Sequence, residues 1–180
     1  MPRYVALLRA VNVGGRGTVT MSDLRALVES LGYRDVTTVL NSGNVVFAGP
    51  SKSTDAIEKQ LETAAKHKLG LDTPFVVRSG DALRAAITKN PFRKEADTDP
   101  GRLIVLFAKS DIAGSNVKAL QSAIVGRETV RGGGRHVYAF YPDGQGRSKV
   151  TVATIEKKLG VRVTGRNWNT VLKLKELVCG

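Results

Sequence analysis

One order of strand-like and helix-like segments occurs twice along the 180 residues of the chain, and this repetition restricts the fold more than any other feature of the sequence. Each copy begins with an apolar, strand-like segment, residues 3–10 in the first copy and 102–109 in the second. Each copy continues with an amphipathic helix, two β-branched strands joined by a turn, a second amphipathic helix and a final strand. The order βαββαβ therefore occurs twice, and a last helix that begins near Trp168 closes the chain.

This order is typical of the ferredoxin-like fold. A local echo supports the repeat, because Ile57-Glu58-Lys59 and Ile155-Glu156-Lys157 stand inside the second helix of their respective copies. We therefore predict an α+β protein of two tandem ferredoxin-like βαββαβ units with antiparallel sheets, plus a C-terminal helix. The predicted boundaries are 1–89 for the first unit with a short trailing helix, 90–101 for a polar linker, and 102–180 for the second unit with the C-terminal helix.

Composition limits the class of protein. Hydrophobic residues make up 42% of the chain, which is enough for a buried core, and no apolar run reaches the roughly 18–20 residues that span a bilayer. The first residues show no secretory signal pattern, so we expect a cytoplasmic protein with no membrane partner. The single cysteine, Cys179, excludes an intramolecular disulfide and a cysteine-rich metal site. The sequence indicates no metal and no cofactor.

The chain is strongly basic, with 28 lysine and arginine residues against 16 acidic residues and a formal net charge of +12. Within residues 127–175, eleven basic residues stand against only Glu128, Asp143 and Glu156. Such a concentrated excess favours an anionic partner, whereas Lys157 and Lys158 are equally typical of a solvated helix face. Charge alone leaves both interpretations open.

The predicted topology brings polar loops together at the edges of the sheets. A ferredoxin-like sheet has antiparallel neighbours in the order 4-1-3-2, so the end of strand 1 lies beside the start of strand 3. In the first unit this arrangement places residues 12–17 beside the turn at 42–44. In the second unit the ends of strands 3 and 4 share an edge, which places residues 143–149 beside 165–169. We predict that the two clusters face each other across a groove between the units.

The loop at 143–149 has the chemistry of an anion site. Its glycines leave backbone N–H groups unpaired, and we predict that a helix begins at Ser148, with Arg147 and Lys149 on either side of that residue. The order of residues differs from that of a phosphate-binding P-loop. The alternative interpretation is a capped helix with two surface cations.

The polar run around the only tryptophan also allows two interpretations. Arg166, Asn167 and Asn169 supply donors for an anion, or an asparagine caps the last helix while Trp168 anchors that helix in the core. Candidates for acid–base catalysis are His67, His136 and Asp143. None of them has a sequence-evident nucleophile or metal partner, so the sequence leaves open whether the protein is an enzyme.

Five segments carry a likeness to a known family. In chain order they are YVALLRAVNVGG (4–15), SGN (42–44), NPF (90–92), YPDGQGRSK (141–149) and RNWNT (166–170). In these segments the sequence closely resembles the bacterial domain-of-unknown-function family 1697, with Ala10 where that family commonly has glycine. The resemblance implies a small bacterial cytoplasmic protein with paired ferredoxin-like units, and it implies no established reaction.

The resemblance also implies that the polar motif residues belong together. The predicted ligand-binding residues are Arg9, Asn12, Gly14, Gly15, Ser42, Gly43, Asn44, Arg147, Ser148, Lys149, Arg166, Asn167 and Asn169. We favour binding of a small anionic ligand, such as a nucleotide or another phosphate- or carboxylate-bearing molecule, in the groove between the units. The first alternative is a nucleic-acid-binding module that uses the basic second unit, although the strands lack the aromatic-rich pattern of such modules. The second alternative is a structural or partner-binding protein.

Overall fold

The computed structural model describes residues 1–9, 19–40 and 43–180. The chain divides into two compact units, one formed by Met1–Ala85 with Lys173–Gly180 and the other by Ala86–Leu172. Residues 90–101, predicted as a linker, lie within the second of these units. They contain a six-residue helix, Arg93–Thr98, and the start of a 3-10 turn, Pro100–Arg102.

The helices and strands follow one another in a regular alternation. They are β1 (Arg3–Leu8), α1 (Met21–Ser30), β2 (Arg34–Val39), β3 (Asn44–Ala48), α2 (Thr54–Leu69), β4 (Phe75–Ser79), α3 (Gly80–Thr88), α4 (Arg93–Thr98), β5 (Leu103–Ile112), α5 (Gly114–Ala123), β6 (Thr129–Phe140), α6 (Val152–Leu159), β7 (Val163–Asn167) and α7 (Trp168–Cys179). Within the described ranges, no helix has the length and apolar character needed to cross a membrane.

The first unit contains a four-stranded antiparallel sheet in the order β2-β3-β1-β4, which is the order predicted from the sequence. Leu7 of β1 is paired with Asn44 of β3, so the end of β1 lies beside the start of β3. Helix α1 begins at a capping box, in which the Thr20 hydroxyl accepts from the Asp23 N–H (3.0 Å) and the Asp23 carboxylate accepts from the Thr20 N–H (3.1 Å). The apolar faces of α1 and α2 pack with alternate residues of the strands in one core.

The second unit contains a three-stranded antiparallel sheet in the order β6-β5-β7. Two separate strands were predicted around Gly132-Gly133-Gly134, whereas the structure has one continuous element, β6. A Cβ atom on Gly132 would lie 2.7 Å from the carbonyl oxygen of His136. Residues four apart in a straight strand are about 13 Å apart, so the chain folds back at the glycines. The glycines at φ +132° and +63° make the reversal so tight that the strand assignment runs through it.

The outer strand of the first sheet is sealed by the side chains of a neighbouring helix. Glu58 and Glu62 stand one helical turn apart on α2 and face the edge strand β4. The Glu58 carboxylate accepts from the Val77 N–H (2.9 Å), and the Glu62 carboxylate accepts from the Phe75 N–H (3.0 Å). These bonds satisfy donors that an edge strand otherwise presents to another chain.

The second sheet uses the same device at both edges. On α6, the Glu156 carboxylate accepts from the Val163 N–H of β7 (2.9 Å). On α5, the Gln121 side-chain oxygen accepts from the Val130 N–H of β6 (2.6 Å), and its amide donates to the carbonyl of Glu128 (3.3 Å). Helix side chains therefore replace the missing neighbouring strand at each of these positions.

Candidate anion-binding site

The loop after β6 is anchored where the sheet of the second unit begins. The Tyr141 N–H donates to the carbonyl of Arg102 (3.0 Å), and the Arg102 guanidinium donates to the carbonyl of Pro142 (2.7 Å). Gly144 then turns the chain at φ +86°, a left-handed conformation that favours glycine, into a short 3-10 turn, Gln145–Arg147. The loop thus begins at a fixed point on the sheet.

The predicted helix start at Ser148 is wrong. Helix α6 begins at Val152, and its N-cap is Thr151, whose hydroxyl accepts from the Thr154 N–H (3.2 Å). The Ser148 hydroxyl instead donates to the Glu128 carboxylate (2.6 Å) and accepts from the Val150 N–H (3.0 Å). Ser148 therefore fastens the loop to the segment between α5 and β6, because its hydroxyl is engaged before the helix begins.

A cavity of about 480 Å³ opens between the end of α5 and this loop. Its lining residues are Leu120, Ala123, Ile124, Val125, Gly126, Arg127, Glu128, Asp143, Arg147, Lys149, Val150 and Thr154. Arg127 is paired with Asp143 (2.8 Å). In the part of the chain that the structure describes, the exposed side chains of Arg147 and Lys149 form no ion pair.

Glu128 holds a charge at the base of this cavity. The hydrogen bond from Ser148 holds the pKa of the Glu128 carboxyl below its ordinary value, aided by the backbone N–H of Glu128 itself. A Cβ atom on Gly126 would collide with the Glu128 carboxylate, so a residue without a side chain is required at that position. Sequence reasoning missed both Arg127 and Glu128 as site residues. The available signal was that Glu128 is one of only three acidic residues in the basic stretch 127–175.

Tyr141 lies next to this carboxylate. Its side chain is 1% exposed, and burial raises the pKa of its hydroxyl to about 12, with a further contribution from the Glu128 charge. Among the described residues, its hydroxyl has no hydrogen-bond partner. Tyr141 therefore remains protonated at neutral pH.

Arg166 lies apart from the cavity. It is paired with Val105 in the sheet, whereas the adjacent Leu106 belongs to the core under α5 and α6, so Arg166 lies on the opposite face from that core. The Arg166 guanidinium donates to the Thr164 hydroxyl (2.7 Å) and to the carbonyl of Gly165 (2.9 Å). Burial lowers the pKa of Arg166 to about 10. The structure therefore does not bring Arg166 together with the cations of the loop.

The asparagines beside the tryptophan also lie outside the cavity lining. The Asn167 side-chain oxygen accepts from the Thr170 N–H (2.9 Å), which caps the start of α7. Asn169 is exposed on α7, and Trp168 is buried. The capping interpretation therefore describes Asn167, and ligand binding by Asn167 and Asn169 stays a prediction.

In the first unit, the described site residues hold the hairpin of β2 and β3. Asn44 is fully buried, and its side-chain amide donates to the carbonyl of Val39 (2.9 Å). Gly43 has φ +79° and accepts from the Leu8 N–H (2.9 Å). The Arg9 carbonyl accepts from the Thr73 hydroxyl (3.1 Å). Asn12, Gly14, Gly15 and Ser42 lie outside the described residues.

The candidate acid–base residues are dispersed. His67 is exposed on α2, and the ring of His136 stands edge-on to the ring of Phe107, with centroids 5.6 Å apart. Asp143 is the exposed partner of Arg127. Across residues 1–9, 19–40 and 43–180, no group of three or more His, Cys, Asp or Glu side chains is placed to hold a metal ion.

Comparison with known proteins places the fold and the family. The solved structure of the conserved bacterial protein SP0830 from Streptococcus pneumoniae is similar to this chain with a TM-score of 0.77 and 23% identity, over 98% of each chain. At that identity the likeness shows a shared fold. No curated protein matches the sequence. The family model for proteins of unknown function called DUF1697 matches residues 1–138, a stretch that ends just before the cavity loop. The chain therefore belongs to the DUF1697 family of proteins of unknown function.

Proposed function

We propose that the protein binds a small anionic ligand in the cavity between the end of α5 and the loop after β6. The observation that carries the proposal is the convergence of Arg147 and Lys149, neither of them ion-paired among the described residues, with Arg127 on one cavity of about 480 Å³. Cavities of roughly 300–1,000 Å³ are typical of small-molecule sites. A phosphate or carboxylate would receive paired hydrogen bonds from an arginine and a point charge from the lysine.

The loop is held in a form that suits this role. Ser148 stands between the two cations, and its hydrogen bond to Glu128 fixes the backbone from which both side chains project. The ordering of these side chains is partly achieved before a ligand arrives, which reduces the entropy lost on binding. The Glu128 charge also makes the cavity selective, because an anion must approach from the side of the cations.

A larger cavity of about 620 Å³ lies between α5 and β6, and it is less suited to an anion. Of its two cations, Lys118 and Arg131, the guanidinium of Arg131 already lies 5.4 Å from the centre of the Phe92 ring. That distance is within the range of a cation–π interaction. The cavity around Arg147 therefore provides the more available positive charge.

Burial of the sheet residues argues against the nucleic-acid alternative. Ferredoxin-like modules that bind single strands stack bases on aromatic side chains of an open sheet face. Phe107 is 0% exposed and Tyr138 is 3% exposed, so neither presents a ring for stacking. The basic surface alone would then have to carry affinity for a nucleic acid.

We also propose that the two units share one ferredoxin-like plan. The first sheet has the required strand order, and Glu58 and Glu156 perform the same task in their units, accepting from Val77 and Val163 of the last strand. Reversal of β6 at Gly132 supplies the hairpin that a second βαββαβ unit needs. The predicted groove between the units stays a prediction.

Titration calorimetry with inorganic phosphate and pyrophosphate tests the proposed site. We expect the wild-type protein to bind pyrophosphate and the Arg147→Gln/Lys149→Gln variant to lose at least about tenfold in affinity, since each charged hydrogen bond contributes about 1.5–3 kcal/mol. The matched control is Lys157→Gln/Lys158→Gln, which removes the same charge from the exposed face of α6. Equal loss in both variants would show a diffuse charge effect, and absence of wild-type binding would refute the site.

A further inference from the structure

The cavity has two chemically different sides. Helix α5 and the residues after it contribute apolar side chains: Leu120, Ala123, Ile124 and Val125. The loop after β6 contributes Arg147 and Lys149. Polarity is therefore divided by element, so that a molecule in the cavity meets hydrocarbon on one side and positive charge on the other.

Part of the apolar side is exposed in a way that is uncommon for such residues. Val125 is 101% exposed and Ala123 is exposed, while Ile124 is half-buried against the core. Val150, at the end of the charged loop, continues the apolar surface with 9% exposure. An exposed apolar surface at a cavity marks a place where burial of a ligand lowers the free energy.

A fully hydrated inorganic anion would not use this surface. Burial of apolar area stabilises a complex only when the ligand also has apolar area to bury. We propose, on the basis of the function proposed above, that the ligand is amphiphilic, with an aromatic or aliphatic body against Ala123, Ile124 and Val125 and an anionic group on Arg147 and Lys149. Phosphate esters and carboxylates with a planar or hydrocarbon body belong to this class.

The experiment compares three probes by calorimetry on the full chain at one ionic strength: phenyl phosphate, glycerol 3-phosphate and inorganic phosphate. We expect phenyl phosphate to bind about ten- to a hundredfold more tightly than the other two, the increase that burial of one ring face gives. Phenol is the fourth probe and should bind weakly, because it lacks the anionic group.

Two variants separate the apolar contribution from the charge. Ala123→Ser/Val125→Ser alters exposed positions and should abolish the preference for phenyl phosphate while leaving affinity for inorganic phosphate unchanged. The control is Leu172→Ser, an exposed apolar residue of α7 outside the cavity lining, which should keep the preference.

The outcomes distinguish this inference from the proposed function. Binding of phosphate and phenyl phosphate with equal affinity would overturn the amphiphilic ligand and leave the anion site standing. A preference that survives Ala123→Ser/Val125→Ser would also overturn it. Binding of phenol as tightly as phenyl phosphate would overturn the role of the anionic group. Absence of binding by every charged probe would refute the anion site and this inference with it.

Discussion

Ser148 shows how one hydroxyl links the chemistry of the site to the order of a loop. The hydroxyl donates to Glu128 and accepts from Val150, so it joins two segments that are twenty residues apart in the chain. The pattern Gly-Arg-Ser-Lys was correctly identified as unusual, but it was interpreted as a helix start. The partner of Ser148 lies beyond the reach of local patterns, because only the packing of α5 against the sheet brings Glu128 to the loop.

We predict that Ser148→Ala raises the pKa of Glu128. A carboxyl whose pKa is lowered by folding adds stability above its unfolded pKa, and that stability is lost as pH falls through the folded pKa. Loss of the hydroxyl removes the main cause of the lowering, so the stability of the variant should fall less on acidification. NMR titration of the Glu128 side chain measures the shift directly.

The control for this prediction is Ser115→Ala, an exposed serine on α5. It should leave the titration of Glu128 unchanged. An unchanged pKa in Ser148→Ala would mean that the hydrogen bond to Glu128 does not stabilise the carboxylate in solution.

The sealed outer strands matter most at the scale of the elements. Glu62 on α2 and Glu156 on α6 each occupy a backbone donor of an edge strand. Without these carboxylates, the strand edge presents unpaired N–H groups that favour pairing with another chain. The helices therefore protect the sheets as well as cover them.

We predict that Glu62→Ala/Glu156→Ala lowers the free energy of unfolding by about 1–3 kcal/mol for each backbone donor left without a partner. Light scattering should show faster aggregation on mild heating, because two strand edges are opened. Chemical denaturation gives the stability change.

The control is Glu29→Ala, which removes one exposed i,i+4 partner of Arg25 on α1. Such pairs contribute about 0.3–0.5 kcal/mol, so its effect should be small. If Glu62→Ala/Glu156→Ala behaves like this control, the edge bonds do not stabilise the sheets.

The sequence predicted most elements of the first unit and misplaced one important boundary in the second. The last strand was expected over residues 161–164, whereas β7 is Val163–Asn167 and passes directly into α7. This displacement moves Arg166 from a predicted loop into the sheet, where its side chain is buried. Polar composition at 165–169 suggested a loop, but tertiary packing places these residues in a strand and at a helix cap.

For the whole molecule, net charge proved a weaker guide than the position of individual charges. The +12 excess pointed to an anionic partner, and Arg147 and Lys149 were identified from their loop. Arg127 and the apolar side of the cavity were missed, because they come from the end of α5 and meet the loop only in three dimensions. One cavity therefore collects residues whose separate patterns carry no common signal.

Stability in alkali is a property of the whole molecule that two tyrosines control. Burial raises the pKa values of Tyr138 and Tyr141 to about 12, above the ordinary 10.0. A raised tyrosine pKa gives stability that is complete below the unfolded pKa and is lost as pH rises through the folded pKa. We predict that unfolding and the ultraviolet signal of phenolate appear together between these two pH values.

Tyr141→Phe should shift this transition to higher pH, because the variant removes one group that ionises on unfolding. At neutral pH its free energy of unfolding should be nearly unchanged, since the Tyr141 hydroxyl has no hydrogen-bond partner among the described residues. Tyr138→Phe serves as the comparison, because its hydroxyl donates to the carbonyl of Ala86 (2.5 Å) and its loss should lower stability already at neutral pH. Phenolate formation without unfolding would contradict the prediction.

The sealed edges also limit how an architecture of this kind is able to grow in evolution. A single strand added beside β4 would have to displace Glu58 and Glu62, and one added beside β7 would have to displace Glu156. Each insertion would sacrifice bonds before it gained any. Duplication of a complete unit avoids that loss, because every copy brings the helix that closes its own sheet.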